Sequence, residues 1–255
     1  MQQLLEQLDT QFARADLAND RATKKDIATN EAKLTGFLST WAANNKDPKI
    51  RGMAYEYRVY DAKTKLTAGT LEDDPKTRQT NLEAAKAVYN DLLSDQNHAL
   101  YVATLDPRKT DASSLDLPDP RVQVGLAFAD YELKDYVDAQ ELLGDLIGNH
   151  RLGSPTVEVT ENNETKLKDN DLYWEATAKL MECNIQLAKS DRPDAKQIMA
   201  GCQKGLKQYL IRGGIPERWQ PQFEAMRKDI LPDFVPPSSN TVAAATQPAA
   251  PVSNK

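Results

Sequence analysis

The chain has only two histidines and two cysteines in 255 residues. His98 and His150 each stand alone, with no partner at HxxxH spacing, and Cys183 and Cys202 form no CxxC pair. Tetrahedral zinc needs several such ligands converging, so no metal site is expected. Phosphate-cradling glycine loops are lacking too. Gly213 and Gly214 follow a helical pattern instead of opening one, and without a GxGxxG context they read as a helix cap. No GxSxG nucleophile occurs, and neither histidine neighbours a serine or cysteine in a recognised catalytic arrangement. No catalytic residue and no cofactor is therefore assigned, and the chain is expected not to be an enzyme.

Long apolar runs are also missing. Mean hydropathy is -0.63, and no window approaches the ~18 to 20 uncharged apolar residues that span a bilayer, so direct membrane insertion is not expected. Thirty-eight acids against 32 bases give a net charge of -6. That is the wrong sign for a phosphate-backbone binder, which argues against nucleic acid as a partner. The opening MQQLLEQLDT has neither the basic start nor the apolar core of a secretory signal, so the chain as written reads as cytoplasmic. A start further upstream with a signal would place it in the envelope or periplasm. The glycosylation pattern at Asn163, Glu164 and Thr165 is discounted as a chance match.

What the chain does have is helical periodicity through most of its first 230 positions. Leu5, Leu8, Phe12 and Ala15 mark a first amphipathic helix, and Ile27, Leu34, Phe37, Leu38 and Trp41 a second, ending before Asp47-Pro48. Asp-Pro is a helix start, because the carboxylate caps and proline suits the first turn. Ile50, Met53, Ala54, Tyr57, Tyr60 and Leu66 form the stripe of a third helix, closed by Gly69, and a fourth covers about 77–94. The pattern lapses over 95–118, which is expected to be an internal boundary. Asp119-Pro120 restarts it with helices at about 121–133 and 136–147, closed by Gly148-Asn149. Val157 and Val159 then alternate with polar neighbours, the chain turns at Asn162-Asn163, and Leu167 resumes the alternation, which predicts strands over 156–160 and 164–168. Three more helices are expected at about 170–190, 193–212 and 216–231, the last two separated by Gly213-Gly214. Trp41, Trp174 and Trp219 each sit on an apolar stripe and are expected in the core. The sequence thus divides into an N-terminal helical pair (1–46), a helical region (47–232) and a tail (233–255).

Second helices of successive pairs share a small residue followed at +4 and +7 by larger apolar ones: Ala85, Tyr89, Leu92; Ala139, Leu143, Leu146; Ala195, Met199, Cys202. These offsets put the three side chains on one face, where the small residue admits a neighbouring helix. First helices show a companion pattern in Ile50, Met53, Ala54, Tyr57 and in Trp174, Thr177, Ala178, Met181. Together with the stretch LAFADYELKDYVDAQELLGDLI, in which Gly125 or Ala127 fills the small position of the first helix, the pattern over about 48–212 resembles the tetratricopeptide repeat. The family's 34-residue period is not kept. The resemblance implies an all-α superhelical solenoid of about nine helices with one inserted β-hairpin, whose first helices line a concave binding surface. Mapped onto this sequence, that surface is expected to carry Arg51, Tyr55, Arg58, Tyr131, Glu175, Lys179 and Glu182, residue types suited to a protein or peptide partner. The implied function is a non-enzymatic interaction module. The alternative is a structural segment of a larger envelope-associated protein. Cys183 and Cys202 fall on the two helices of one hairpin and read as two reduced core thiols, with a disulfide as the alternative in an oxidising compartment.

From Val235 onward the sequence has no aromatic residue and one charge, too little apolar surface to offset its chain entropy, so it is expected to be a disordered tail. Truncation after Phe234 should leave the melting temperature unchanged; a fall of several degrees would show that the tail docks.

Overall fold

The computed structural model describes residues 10–11, 14–15, 20–47, 50, 53–104, 117–161 and 164–236. Among the described residues there are nine helices and one two-stranded antiparallel sheet. The all-α class with a small hairpin is therefore what the chain adopts. No helix among them is long and apolar enough to cross a membrane. The chain forms two compact units, Met1–Leu152 and Gly153–Lys255. Most of the expected first helix, Pro48 of the expected Asp-Pro start, and the tail from position 237 lie outside the described residues; 10–11 and 14–15 are helical, and Ala15 is buried.

The first unit contains α1 (Arg21–Ala43), α2 (Ala54–Leu71), α3 (Pro75–Leu92), α4 (Asp95–Thr104), α5 (Pro120–Glu132) and α6 (Tyr136–Gly148). Their starts follow from local chemistry. Asp20 accepts from the Thr23 amide at 3.0 Å and Asp74 from the Thr77 amide at 2.8 Å. Asp119 accepts from the Arg121 amide at 2.8 Å, and proline follows both Asp74 and Asp119. Each such cap satisfies an amide that the helix itself leaves without an acceptor and is worth about 1 kcal/mol.

Packing then departs from the sequence pattern at α2. This helix packs against α1 and also against α3 and α5, so it buries Tyr55, Asp61, Ala62, Thr64, Leu66 and Ala68 instead of one stripe. Met53 is exposed, and Tyr57 and Tyr60 are only half-buried. Gly69 does not end the helix. A β-carbon there would lie 2.8 Å from Leu82 Cδ2, so the bare position is where α2 admits Leu82 of α3. The same device recurs between α3 and α5, where a β-carbon on Gly125 would stand 2.3 Å from the Tyr89 ring. Gly125 is thus the small position, while Ala127, Ala129 and Ala139 are fully buried beside it. The first two second-helix triplets are buried throughout, as their spacing implies; in the third only Cys202 is.

The expected lapse after Asp95 is in part a helix, α4; positions 105–116 lie outside the described residues. No apolar stripe announces α4. It is anchored by buried Asn97, whose Nδ2 donates to the Asp91 carbonyl at 2.7 Å and whose Oδ1 accepts from Arg58 at 3.0 Å. The α5–α6 turn closes on Lys134, in the left-handed region at φ 71°, with the Asp135 amide donating to the Asp130 carbonyl at 2.8 Å. Helix α6 ends at Gly148 with Asn149 as its cap, as expected, and the left-handed residue that follows is His150 at φ 54°.

The second unit opens with β1 (Thr156–Glu161) and β2 (Glu164–Asp169), paired from Thr156↔Asp169 to Glu161↔Glu164. Val157 and Val159 face Lys168 and Lys166, whereas Leu167 pairs with Glu158 and projects on the other side, 70% exposed. Helices α7 (Asp171–Ala188), α8 (Ala195–Arg212) and α9 (Gln220–Ile230) follow. Gly213 and Gly214 both take positive φ, at 68° and 84°, and break α8 from α9 as expected. Their core sets Trp174, Tyr209 and Phe223 edge-to-face, with centroids 5.7–6.2 Å apart. The Trp174 indole donates to the Pro155 carbonyl at 3.0 Å, which ties the base of the hairpin to this core. Trp219 packs partly buried against the same cluster. Cys183 and Cys202 are buried free thiols, and burial pushes the Cys183 thiol up to about 12.

Two substitutions test the packing by chemical denaturation. Gly125→Ala forces the Tyr89 ring aside and is expected to cost on the order of 1–3 kcal/mol. Lys134→Gly relieves a left-handed lysine on an exposed turn and is expected to add about 0.5–1 kcal/mol. For the thiols, alkylation of the native protein should attach no label, and alkylation after denaturation without reductant should attach two.

Candidate interaction site

The residues expected on a concave face turn out to be largely engaged inside the fold. Tyr55 is 2% exposed and sits in the core of the first unit. Its hydroxyl donates to Asp119 Oδ2 at 3.2 Å. Burial, reinforced by the neighbouring Asp119 charge, holds its phenol far above the ordinary tyrosine value, so it stays a donor. Asp119 is almost wholly buried and is also clasped by the Arg121 guanidinium at 2.7 Å. Arg121 in turn makes a bidentate pair with Glu56, at 2.9 and 3.0 Å. This chain of charges locks the start of α2 to the start of α5 and leaves Tyr55 unable to reach a partner.

Arg58 is drawn into the fold as well, pairing with Asp91 and with Asn97. Tyr131 is half-buried, its ring edge-on to Tyr136 at 5.3 Å. Arg51 lies outside the described residues. In the second unit Lys179 and Glu182 are joined at 2.7 Å, and Glu182 accepts from Gln222 Nε2 at 2.5 Å, so the pair bonds α7 to α9. Glu175 is exposed.

An open apolar surface lies elsewhere, on α1. The face of this helix turned to α2 carries Ile27, Ala28, Thr35, Leu38 and Ala42, all buried. Small and hydroxyl side chains let the two helices approach, and Thr35 Oγ1 meets Thr64 Oγ1 at 3.0 Å. Phe37 and Trp41 are one turn apart, on a different face. Phe37 is 63% exposed and Trp41 37%. Trp41 is therefore not a core residue: the apolar residues from Leu34 to Trp41 span more arc than one interface can cover, and only Leu38 among them is fully buried. With Thr40, Asn44, Asn45 and Lys46 the two rings line an open pocket of about 520 Å³. Asn44 is fixed by its Nδ2 bond to the Thr40 carbonyl at 2.9 Å, and Asn45 Oδ1 accepts from the Asp47 amide at 2.9 Å. The pocket floor is thus held by hydrogen bonds local to the α1 end. Its sequence signal was the excess of large apolar residues over what one helix face needs.

No protein-family model, curated protein or solved structure matches the chain.

The assignment of faces has a direct stability consequence. Leu38→Ala removes a fully buried side chain and is expected to cost about 2–5 kcal/mol. Phe37→Ala, one position away, should cost under about 0.5 kcal/mol because the ring packs mainly against water. Urea unfolding of the two variants checks it; equal losses would mean that Phe37 belongs to the core.

Proposed function

We propose that this chain is a non-enzymatic interaction module of the tetratricopeptide-repeat kind, which holds a protein or peptide partner. Helices stacked through small-residue contacts, with Leu82 on Gly69 and Tyr89 on Gly125, support the scaffold part of this reading. The observation that carries the binding part is the exposed Phe37–Trp41 pair over its pocket. Phe37 is 63% and Trp41 37% exposed, so part of the burial energy of each ring is left unused, and contiguous apolar surface of this kind marks contact sites. Large aromatic residues are also enriched at interfaces and their hot spots.

A photo-crosslinking residue introduced at exposed Thr40, in cells, should give a discrete intermolecular adduct. The adduct should disappear in Phe37→Ala/Trp41→Ala and be absent when the crosslinker stands at exposed Lys76. Adducts confined to the protein's own chain would instead support a structural segment of a larger protein. Adducts indifferent to the double substitution would remove α1 as the site.

A further inference from the structure

Charge on the face just described is distributed unlike that of the rest of the chain. Acids outnumber bases overall, 38 to 32, yet positions 32–46 contain no acidic residue and two lysines. Lys33 lies one turn before Phe37 on the same face, about 6 Å along the axis. Lys46 lines the pocket at its other end. Both lysines are exposed. The nearest acids do not compete for this face. Glu31 is buried on the side turned to α2, Asp61 of α2 is buried against Gly36 and pairs with Lys65 at 2.5 Å, Asp26 lies nearly two turns before Lys33, and Asp47 follows Lys46 where the chain leaves the helix. The result is an aromatic centre with a cation at each end.

Resting on the reading of this face as the partner site, we infer that its occupant is an acidic amphipathic segment of another protein. Apolar side chains at i, i+3 and i+4 would cover Phe37 and Trp41, and flanking Asp or Glu would meet Lys33 and Lys46. Charge complementarity selects this class over a neutral or basic segment, since a like charge brought against an uncompensated lysine is repelled. An anionic lipid surface fits less well. Electrostatic attachment to a bilayer uses about four to eight clustered basic residues, and among the described residues this face offers two.

The test uses three fluorescent peptides of equal length and the same leucine spacing, with glutamate, glutamine or lysine at the remaining positions, titrated against the full chain. The glutamate peptide is expected to bind roughly 5- to 10-fold more tightly than the glutamine peptide at low salt, from two exposed ion pairs. High salt should close that gap, as should Lys33→Gln/Lys46→Gln. Phe37→Ala/Trp41→Ala should abolish binding of both peptides with the far-UV circular dichroism unchanged. Equal affinity for the glutamate and glutamine peptides, or preference for the lysine peptide, overturns the acidic partner while leaving the site itself standing. Failure of all three peptides, with the Thr40 crosslink retained, likewise overturns the partner class alone; loss of that crosslink removes the site. Binding to phosphatidylserine vesicles through Lys33 and Lys46, without peptide binding, replaces the protein partner by a lipid surface.

Discussion

The ring of Tyr89 occupies the space where a side chain on Gly125 would begin, and the arrangement of the first unit depends on that contact. Because a β-carbon there would overlap the ring at 2.3 Å, α3 and α5 can pack at this spacing only while position 125 is bare. Leu82 against Gly69 sets α2 against α3 by the same means, at 2.8 Å. Once these two crossings are fixed, Ala85, Ala129 and Ala139 become the fully buried residues around them. Dispersion at such spacing needs many atoms in contact at once, and so the small residues matter more here than any single large one.

Charge follows the packing. Arg78 reaches Glu132 at 2.5 Å and Lys86 reaches Asp130 at 2.6 Å, so α3 is tied to α5 between the Tyr89 contact and the N-terminal end of α3. Partly exposed pairs of this sort stabilise little individually. The exception is Asp119, a carboxylate with almost no contact with water, which Tyr55, Arg121 and its own helix cap together satisfy. Withdrawing one of those donors leaves a buried charge short of partners, which is why side chains suited to partner recognition are committed to the fold instead.

Surface left over from this arrangement is unevenly apolar. In the second unit Trp174, Tyr209 and Phe223 close the core, while the β-hairpin is exposed at nearly every described side chain, with Val159 half-buried, and is held at its base by Trp174 and Asn170. In the first unit the face of α1 turned to α2 buries Ile27, Ala28, Glu31, Thr35, Leu38 and Ala42. Phe37 and Trp41 lie on a different face of α1 and are left partly open to solvent.

The helix start at Asp119-Pro120, the break at Gly213-Gly214, the pairing of β1 with β2 and the small-residue positions of the first two second helices were all legible in the sequence. Each is decided within a few residues, by a carboxylate reaching an amide, a ring fixing φ, or a glycine entering the left-handed region. Others were decided only by the tertiary structure: that Tyr55 is core and Trp41 is not, that Gly69 is a crossing and not an end, that Asn97 supports a helix after Asp95, and that the chain divides after Leu152. Those outcomes depend on partners far along the chain: Asp119 for Tyr55, Thr64 for Thr35, Arg58 for Asn97. Periodicity within one helix reports that apolar faces exist. Which face meets a neighbour and which meets water is set by the shape and charge of residues that come near only on folding.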